Sequence, residues 1–266
     1  MWKQTAAKYL SYTLQIKKQH IISKMEYRWS FFVEVGGMFF NNATLILLWY
    51  IYFQRFPSIN GWGFVDSLIM LSVIALINSF IYFFALGALE MSSHIYEGRL
   101  DNYLLYPKNV LWQIVISASD ISAIGDFLFG LSLFLLLPDI GIWQILVFLA
   151  VSILGAIIAA AFSIIFNTIT FFAGNFENPA WAILDGLMTV GNYPGTIYRG
   201  AMKIVSMTIL PAFFMVTLPI SLIKSFDVLD FVYLLLFTAG FAAFAVWFFY
   251  FGLKRYESGN LINLVK

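Results

Sequence analysis

Six stretches of apolar residues, each about as long as a bilayer is thick, dominate this chain. They occupy residues 31–53, 64–89, 110–137, 143–172, 204–223 and 231–253. A helix needs about 20 mostly apolar residues to cross a membrane. The chain is 61% hydrophobic and 11% charged, whereas soluble domains are about 45–50% apolar and about 25% charged. The pattern predicts an all-α, polytopic membrane protein with six transmembrane helices.

The basic residues predict how these spans are oriented, because lysine and arginine concentrate in cytoplasmic loops. With the N-terminus in the cytoplasm, 13 of the 15 basic residues fall on the cytoplasmic side, and only Arg55 and Lys224 fall on the other. This count places both termini, the 90–109 loop and the 173–203 segment in the cytoplasm. No cytosolic segment is long enough for a separate globular domain, so residues 1–266 form a single membrane domain.

The segment before the first span, residues 1–28, mixes lysines with apolar side chains such as Tyr9, Leu10 and Leu14. A basic amphipathic helix of this composition is typical of segments that lie in the membrane interface. The alternative is a helix in the cytosol. We expect the interfacial helix, with membrane lipids as its partners.

Motifs for enzymatic chemistry and for nucleotide binding are absent. The sequence contains no GxxxxGK[ST], no HExxH and no GxSxG, the patterns of ATP binding, zinc proteolysis and serine hydrolysis. It has no cysteine and only two histidines, His20 and His94, which excludes thiol catalysis and thiolate metal sites. We expect no catalytic residue, no bound metal, no cofactor and no nucleic-acid partner.

Two carboxylates and two prolines interrupt the apolar spans. An acid within a span is a functional candidate because burying a charge in lipid costs about 2.5–3.5 kcal/mol. Asp126 lies well inside the third span, where it either pairs with a polar neighbour or lines a substrate or proton path; Asp120 lies nearer the membrane edge. Pro211 and Pro219 kink or break the fifth span, as either a bent gate or a static kink.

Three short motifs read EGRLDNYLLYP at 97–107, YPGTIYR at 193–199 and ILPAFFMVTLPI at 209–220. Together they resemble the type-2 class of ABC exporter permeases, in particular its small six-span bacterial subfamily. The segment MEYRWSFF at 25–32 and the Gly125–Asp126 pair are similar to that family too. One position departs from the pattern, since this chain has Tyr106 where the family often has an arginine.

The resemblance implies a role for each motif. The first would be a cytoplasmic coupling helix within the 90–108 loop, where Gly98, Leu100, Asp101, Leu104, Leu105 and Pro107 match the family pattern and Glu97, Arg99 and Tyr103 complete the coupling residues. The second would be a further cytoplasmic stretch, with Tyr193, Pro194, Ile197 and Tyr198. The third is the proline-bearing fifth span.

The resemblance also implies a function. Such a chain is the permease subunit of an ATP-driven exporter in the bacterial cytoplasmic membrane, pairs with a second permease subunit, and is driven by separate ATP-binding subunits. A heterodimer of two different permeases is more in keeping with the subfamily than a homodimer.

The residues of the first motif suit this role on their own account. Leu100, Tyr103 and Leu104 follow i, i+3, i+4 spacing and would form one apolar helical face. An apolar face on a short cytosolic helix needs a partner groove or a membrane surface, so a helix lying on lipid is the alternative. Two other functions stay open: a proton-coupled carrier or channel using Asp126, and a membrane scaffold that transports nothing.

Overall fold

The computed structural model describes residues 2–257, and the side chains from residue 7 onward. Within this part of the chain the regular elements are helices, apart from one isolated bridge between Ile59 and Trp62. In chain order the α-helices are α1 Trp2–Met25, α2 Arg28–Arg55, α3 Phe64–Phe84, α4 Leu86–Leu89, α5 Met91–Tyr96, α6 Leu100–Leu104, α7 Val110–Ile116, α8 Ala123–Leu135, α9 Ile142–Thr168, α10 Thr170–Ala173, α11 Glu177–Gly191, α12 Ala201–Thr208, α13 Leu218–Lys224 and α14 Val228–Leu253.

Four helical stretches are long and apolar enough to cross a membrane: Arg28–Arg55, Phe64–Phe84, Ile142–Ala173 and Val228–Leu253. They match the first, second, fourth and sixth predicted spans. A helix rises about 1.5 Å per residue, so each is about 30 Å or longer, the thickness of the hydrocarbon core. The prediction of an all-α polytopic membrane protein is confirmed. The central helix is α3, which packs on α8 and α9, while α2 and α14 lie largely exposed at the surface.

The third predicted span, 110–137, is not one helix. It consists of α7 and α8 with a break at residues 117–122, where the sequence Ser-Ala-Ser-Asp-Ile-Ser supplies polar side chains and no apolar run. The Lys17 ammonium of α1 donates to the carbonyls of Ile116 and Ala118, at 3.0 and 2.8 Å, and to the Ser119 hydroxyl at 2.8 Å. Backbone groups freed by a break in a spanning helix must find such partners.

The fifth predicted span, 204–223, does not run through the bundle as one straight helix either. Helix α12 and the segment Phe213–Lys224 meet at an angle of 72°. The Lys224 ammonium lies 2.6 Å from the Asp66 carboxylate at the start of α3, so this bent segment returns to the end of the bundle that holds the loop between the first two spans.

The prediction that 173–203 is a cytoplasmic connection is wrong. Asn60, in the loop between the first two spans, donates to the Thr196 carbonyl at 3.2 Å, and the Trp49 and Tyr193 rings lie 6.4 Å apart. At its other end α11 begins beside α5. Helix α11 therefore runs from the end of the bundle near α5 toward the end that holds the loop between the first two spans, and we infer that it serves as the fifth crossing.

The bundle has two ends, which different loops occupy. The coupling end holds the 97–107 loop and the start of α11; the distal end holds the 56–63 loop and residues 193–200. Arg199 and Lys203 belong to the distal end, so the sequence has 11 basic residues toward the coupling end and four toward the other. The bias weakens but keeps its direction, and it still predicts a cytoplasmic coupling end.

Candidate coupling site and intramembrane polar groups

The first motif forms a compact turn between α5 and α6. Gly98, at φ +73°, makes the reversal, a backbone conformation in which a side chain would be strained. The Arg99 guanidinium lies 2.7 Å from the Glu97 carboxylate and donates to the Ser93 hydroxyl at 3.0 Å. Glu97 and Arg99 thus hold the turn in shape.

The turn is tied to the end of the fourth span. The Ser92 amide donates to the Asn167 side-chain carbonyl at 3.1 Å, and the Ser92 and Thr170 hydroxyls share a hydrogen bond of 2.6 Å. Asn167 also donates to the Ser163 carbonyl. All these side chains are buried, so buried hydrogen bonds join the turn to α9 and α10.

A second set of contacts ties the turn to α7 and α1. The buried Gln113 amide donates to the carbonyls of Tyr103 and Lys108, both at 3.1 Å. The Lys108 ammonium lies 3.1 Å from the centre of the Tyr12 ring, and the Asn109 amide donates to the Tyr9 hydroxyl. The segment from α6 to Asn109 is therefore joined to both α7 and α1.

The predicted apolar face of α6 is wrong for two of its three residues. Leu100 is completely buried and packs in the protein's own core, and Tyr103 is half-buried with its ring edge-on to His94 at 5.4 Å. The exposed apolar surface lies one turn later, because α6 has only five residues and the chain uncoils toward Pro107. It consists of Leu104, Leu105 and Tyr106, with exposed fractions of 45%, 83% and 63%; these three residues are called the apolar tip.

The chain matches a known family of membrane proteins. The model of the ABC-2 family transporter proteins matches residues 39–259, and it includes the turn, the break and the bent segment. This chain belongs to the ABC-2 transporter family. Comparison with curated proteins and with solved structures gives no match. ABC-2 proteins are membrane permease components of ABC transporters and are not themselves catalytic, and membership implies assembly with ATP-binding subunits.

His94 is a buried residue of this ABC-2 permease whose role the sequence did not reveal. Both of its ring nitrogens lack a hydrogen-bond partner among the described residues. Burial lowers the pKa of His94 to about 4, and the nearby Arg99 cation adds to the effect. The ring is therefore neutral near pH 7 and acts as an aromatic contact for Tyr103.

Glu90 lies close to the same turn, at the start of α5. Burial raises the pKa of its carboxyl group; the Arg99 cation opposes that shift, and the Glu177 carboxylate adds to it. The coupling end thus brings Glu90, Arg99 and Glu177 from three separate elements within electrostatic reach of one another.

The second motif lies at the distal end, not in the cytoplasmic stretch that the resemblance implied. Tyr198 donates to the Val190 carbonyl at 2.8 Å and so ties the motif back onto α11. Tyr193 and Tyr198 line a cavity of about 460 Å³ together with Lys203 and Thr217. Pro194 precedes the 3-10 turn Gly195–Ile197, and Ile197 is the last residue of that turn.

The two prolines have different surroundings. Pro211 lies in the 72° bend itself, between α12 and the π-helical turn Phe213–Thr217. Pro219 lies in the first turn of α13, where a missing amide donor costs little. Only Pro211 lies at a change in chain direction. The two alternatives for the prolines, a moving gate or a static kink, therefore apply to Pro211 alone.

Asp126 and Asp120 have separate partners. Asp126 is fully buried; one of its oxygens accepts from the Asn42 amide of α2, and the other has no partner among the described residues. Asp120 accepts from the Ser122 amide at 2.9 Å, and its own amide donates to the Tyr82 carbonyl at 3.0 Å. Asp120 therefore stabilises the start of α8, while Asp126 joins α2 to α8.

Helix α11 carries a polar stripe that the sequence analysis missed. Its buried face is apolar, with Ala180, Leu184 and Leu187 against the core. Its opposite face exposes Asn178, Asp185 and Thr189, at i, i+7 and i+11. At about 1.5 Å per residue, Asp185 lies roughly 10 Å from the distal end of a helix roughly 22 Å long. The Asp185 carboxylate is therefore exposed at a point about midway between the two ends of the bundle.

Proposed function

We propose that this ABC-2 permease is the membrane subunit of an ATP-driven exporter. Separate ATP-binding subunits dock at the apolar tip, and the chain pairs with a second permease subunit. The chain itself binds no nucleotide. The observation that carries the proposal is the apolar tip, held on a rigid turn that hydrogen bonds attach to α9 and α7.

The tip suits a protein groove. Fully burying a leucine side chain stabilises an interface by about 1.5–3 kcal/mol. Leu105, at 83% exposure, has almost all of that apolar area available for a partner. Closure of the ATP-binding subunits would push the turn, and the Ser92 contacts to Asn167 and Thr170 would carry the push into the fourth span.

The polar stripe of α11 supports the second permease subunit. Ionisable residues within membrane spans face the bundle interior or a water-filled cavity rather than lipid. Asp185 is exposed on the face of α11 opposite Ala180, Leu184 and Leu187, so we infer that a neighbouring subunit encloses it together with water. Two permeases meeting along their α11 helices would leave a water-filled path between the two stripes. From the resemblance we expect the neighbour to be a different permease.

The experiment is affinity purification from the native membrane followed by an ATPase assay, with Leu105→Asp as the variant. Leu136→Asp is the matched control, since Leu136 is also 83% exposed but follows α8 at the distal end. We expect an ATP-binding subunit to co-purify with the unchanged chain and with Leu136→Asp, and Leu105→Asp to lose it and its ATPase activity.

A chain that purifies without any ATP-binding subunit would contradict the proposal. Transport that continues in Leu105→Asp and collapses with the proton gradient would instead favour the carrier that uses Asp126. Transport lost in Leu105→Asp while the whole assembly survives would exclude the scaffold and retain the exporter.

A further inference from the structure

A long apolar groove lies on the outer surface of the bundle at its coupling end. Its volume is about 1020 Å³, and helices α1, α3, α7, α9 and α14 form its walls. Small side chains make its floor: Ala156, Ala160, Ala242 and Ala245. Larger apolar side chains form its rims: Leu10, Leu14, Phe84, Trp112 and Ile157. Alanines on two neighbouring helices leave the space that longer side chains would fill.

The groove is one leaflet deep. Along α9 it extends from Ile153 to Ile164, which is roughly 16 Å of helix. The hydrocarbon core is about 30 Å thick, so the groove covers about half of it. Its end at Tyr9 and Asn109 lies beside the 97–107 loop, which assigns the groove to the leaflet at the coupling end. A helix of another membrane protein would contact both leaflets, whereas an acyl chain occupies one.

The surface of α1 beside the groove is cationic. Helix α1 contains no acidic residue, and the sequence has none before Glu26. Leu10 and Leu14 also border a shallow depression of about 340 Å³ on the outer face of α1, where Lys18 follows Leu14 by one turn. The Lys18 side chain is exposed and has no ion-pair partner among the described residues. The Lys18 ammonium group thus lies beside the rim of the groove that Leu10 and Leu14 form, and it does not line the groove itself.

We propose that this groove binds one anionic phospholipid. An acyl chain lies along the alanine floor, and the headgroup phosphate pairs with Lys18, so that α1 closes over the lipid. Lysines near a membrane surface favour anionic lipids electrostatically, and the groove supplies the apolar contact that fixes the lipid in place. Residues 39–259 carry the family match, so α1 and its lysines belong to the part of the chain outside it.

The test uses the purified permease with dioleoyl phosphatidylglycerol or dioleoyl phosphatidylcholine added to lipid-free detergent. Native mass spectrometry counts the bound lipid, and thermal unfolding measures its effect. Ala242→Phe fills the floor, and Ala243→Phe is its control, because Ala243 is the exposed neighbour that does not line the groove. Lys18→Gln removes the cation, with exposed Lys254→Gln at the end of α14 as the control for charge.

We expect one phosphatidylglycerol per chain and a larger rise in unfolding temperature than with phosphatidylcholine. Ala242→Phe abolishes both effects, and Lys18→Gln weakens phosphatidylglycerol binding by about fivefold. Both controls behave like the unchanged chain. If Ala242→Phe fails to fold, Leu14→Ser, on the exposed rim, replaces it and must lower lipid retention.

Equal retention of the two lipids, unaffected by Lys18→Gln, would overturn the proposal and leave only adventitious lipid. Loss of a second permease from Ala242→Phe, with lipid binding intact, would also overturn it and assign the groove to a protein. Lipid binding and unfolding are measured on the isolated permease, and retention of a second permease is measured on the chain purified from the native membrane, so neither outcome depends on ATPase coupling.

Discussion

Replacing Lys17 with methionine tests how the break in the third span is stabilised. Lys17 is 3% exposed, and its ammonium donates to two carbonyls and one hydroxyl at 2.8–3.0 Å. A buried acceptor that loses its donor costs about 1–3 kcal/mol. The contact with Ile116 is buried, while those with Ala118 and Ser119 are only partly so, so water can replace part of the loss.

An opposing effect reduces the cost. Burial lowers the pKa of Lys17 to about 8, which shows that the folded protein holds the charged ammonium at a disadvantage. Methionine keeps the apolar stem and removes that disadvantage. We therefore expect a net loss toward the lower end of that range, about 1 kcal/mol, or roughly 2–4 °C in the unfolding midpoint.

The assay is thermal unfolding in phospholipid-free detergent, with hydrogen exchange of the 116–122 amides as a local measure. Lys18→Met is the matched control, because Lys18 is the adjacent lysine and its side chain is exposed. We expect faster exchange at the break in Lys17→Met alone. Equal midpoints for the two variants, or a gain in stability for Lys17→Met, would refute the reasoning that hydrogen bonds outweigh the burial of the charge.

Three further predictions address the coupling end, the buried acid and the topology. Because burial lowers the pKa of His94 from 6.5 to about 4, the unfolded chain binds more protons between those values, and stability falls as the pH drops through that window; His94→Phe should flatten the dependence in thermal unfolding at several pH values. Asn42→Ala leaves buried Asp126 without its described partner and should cost about 1–3 kcal/mol, whereas Asp126→Asn should cost less. In the cysteine-free chain, Thr196→Cys and Leu105→Cys should react with impermeant thiol reagents from opposite sides of the membrane, and reaction from one side would contradict the placement of α11.

The apolar runs were enough to predict four crossings, because α2, α3, α9 and α14 each belong to a helical stretch of 21 residues or more that is predominantly apolar. The break at 117–122 was less accessible to prediction, since its stability comes from Lys17, a residue about 100 positions earlier in the chain. A lysine counted toward the charge of the N-terminal segment is in fact a buried donor. Sequence periodicity cannot identify such long-range pairs.

The apolar tip shows a similar limit. Helical spacing predicted Leu100, Tyr103 and Leu104 as one apolar face available to a partner, but Leu100 is buried and Tyr103 is half-buried. Leu100 packs inward beside a helix, α5, that the Ser92 amide anchors to Asn167 of α9, and local spacing cannot identify a contact between residues 75 positions apart.

Helix α11 was missed for a reason that bears on function. Glu177, Asn178, Pro179 and Asp185 lower its hydropathy, so that its 15 residues resemble a polar loop. A span that borders only lipid could not carry them, because a charge facing hydrocarbon costs several kcal/mol. A span that borders water or a second subunit can. The polar residues that lower the hydropathy of α11 are therefore also the reason to infer that α11 does not face lipid. By the same argument, the uniformly apolar surface of α14 is the side that does, and the alanine groove opens on that side.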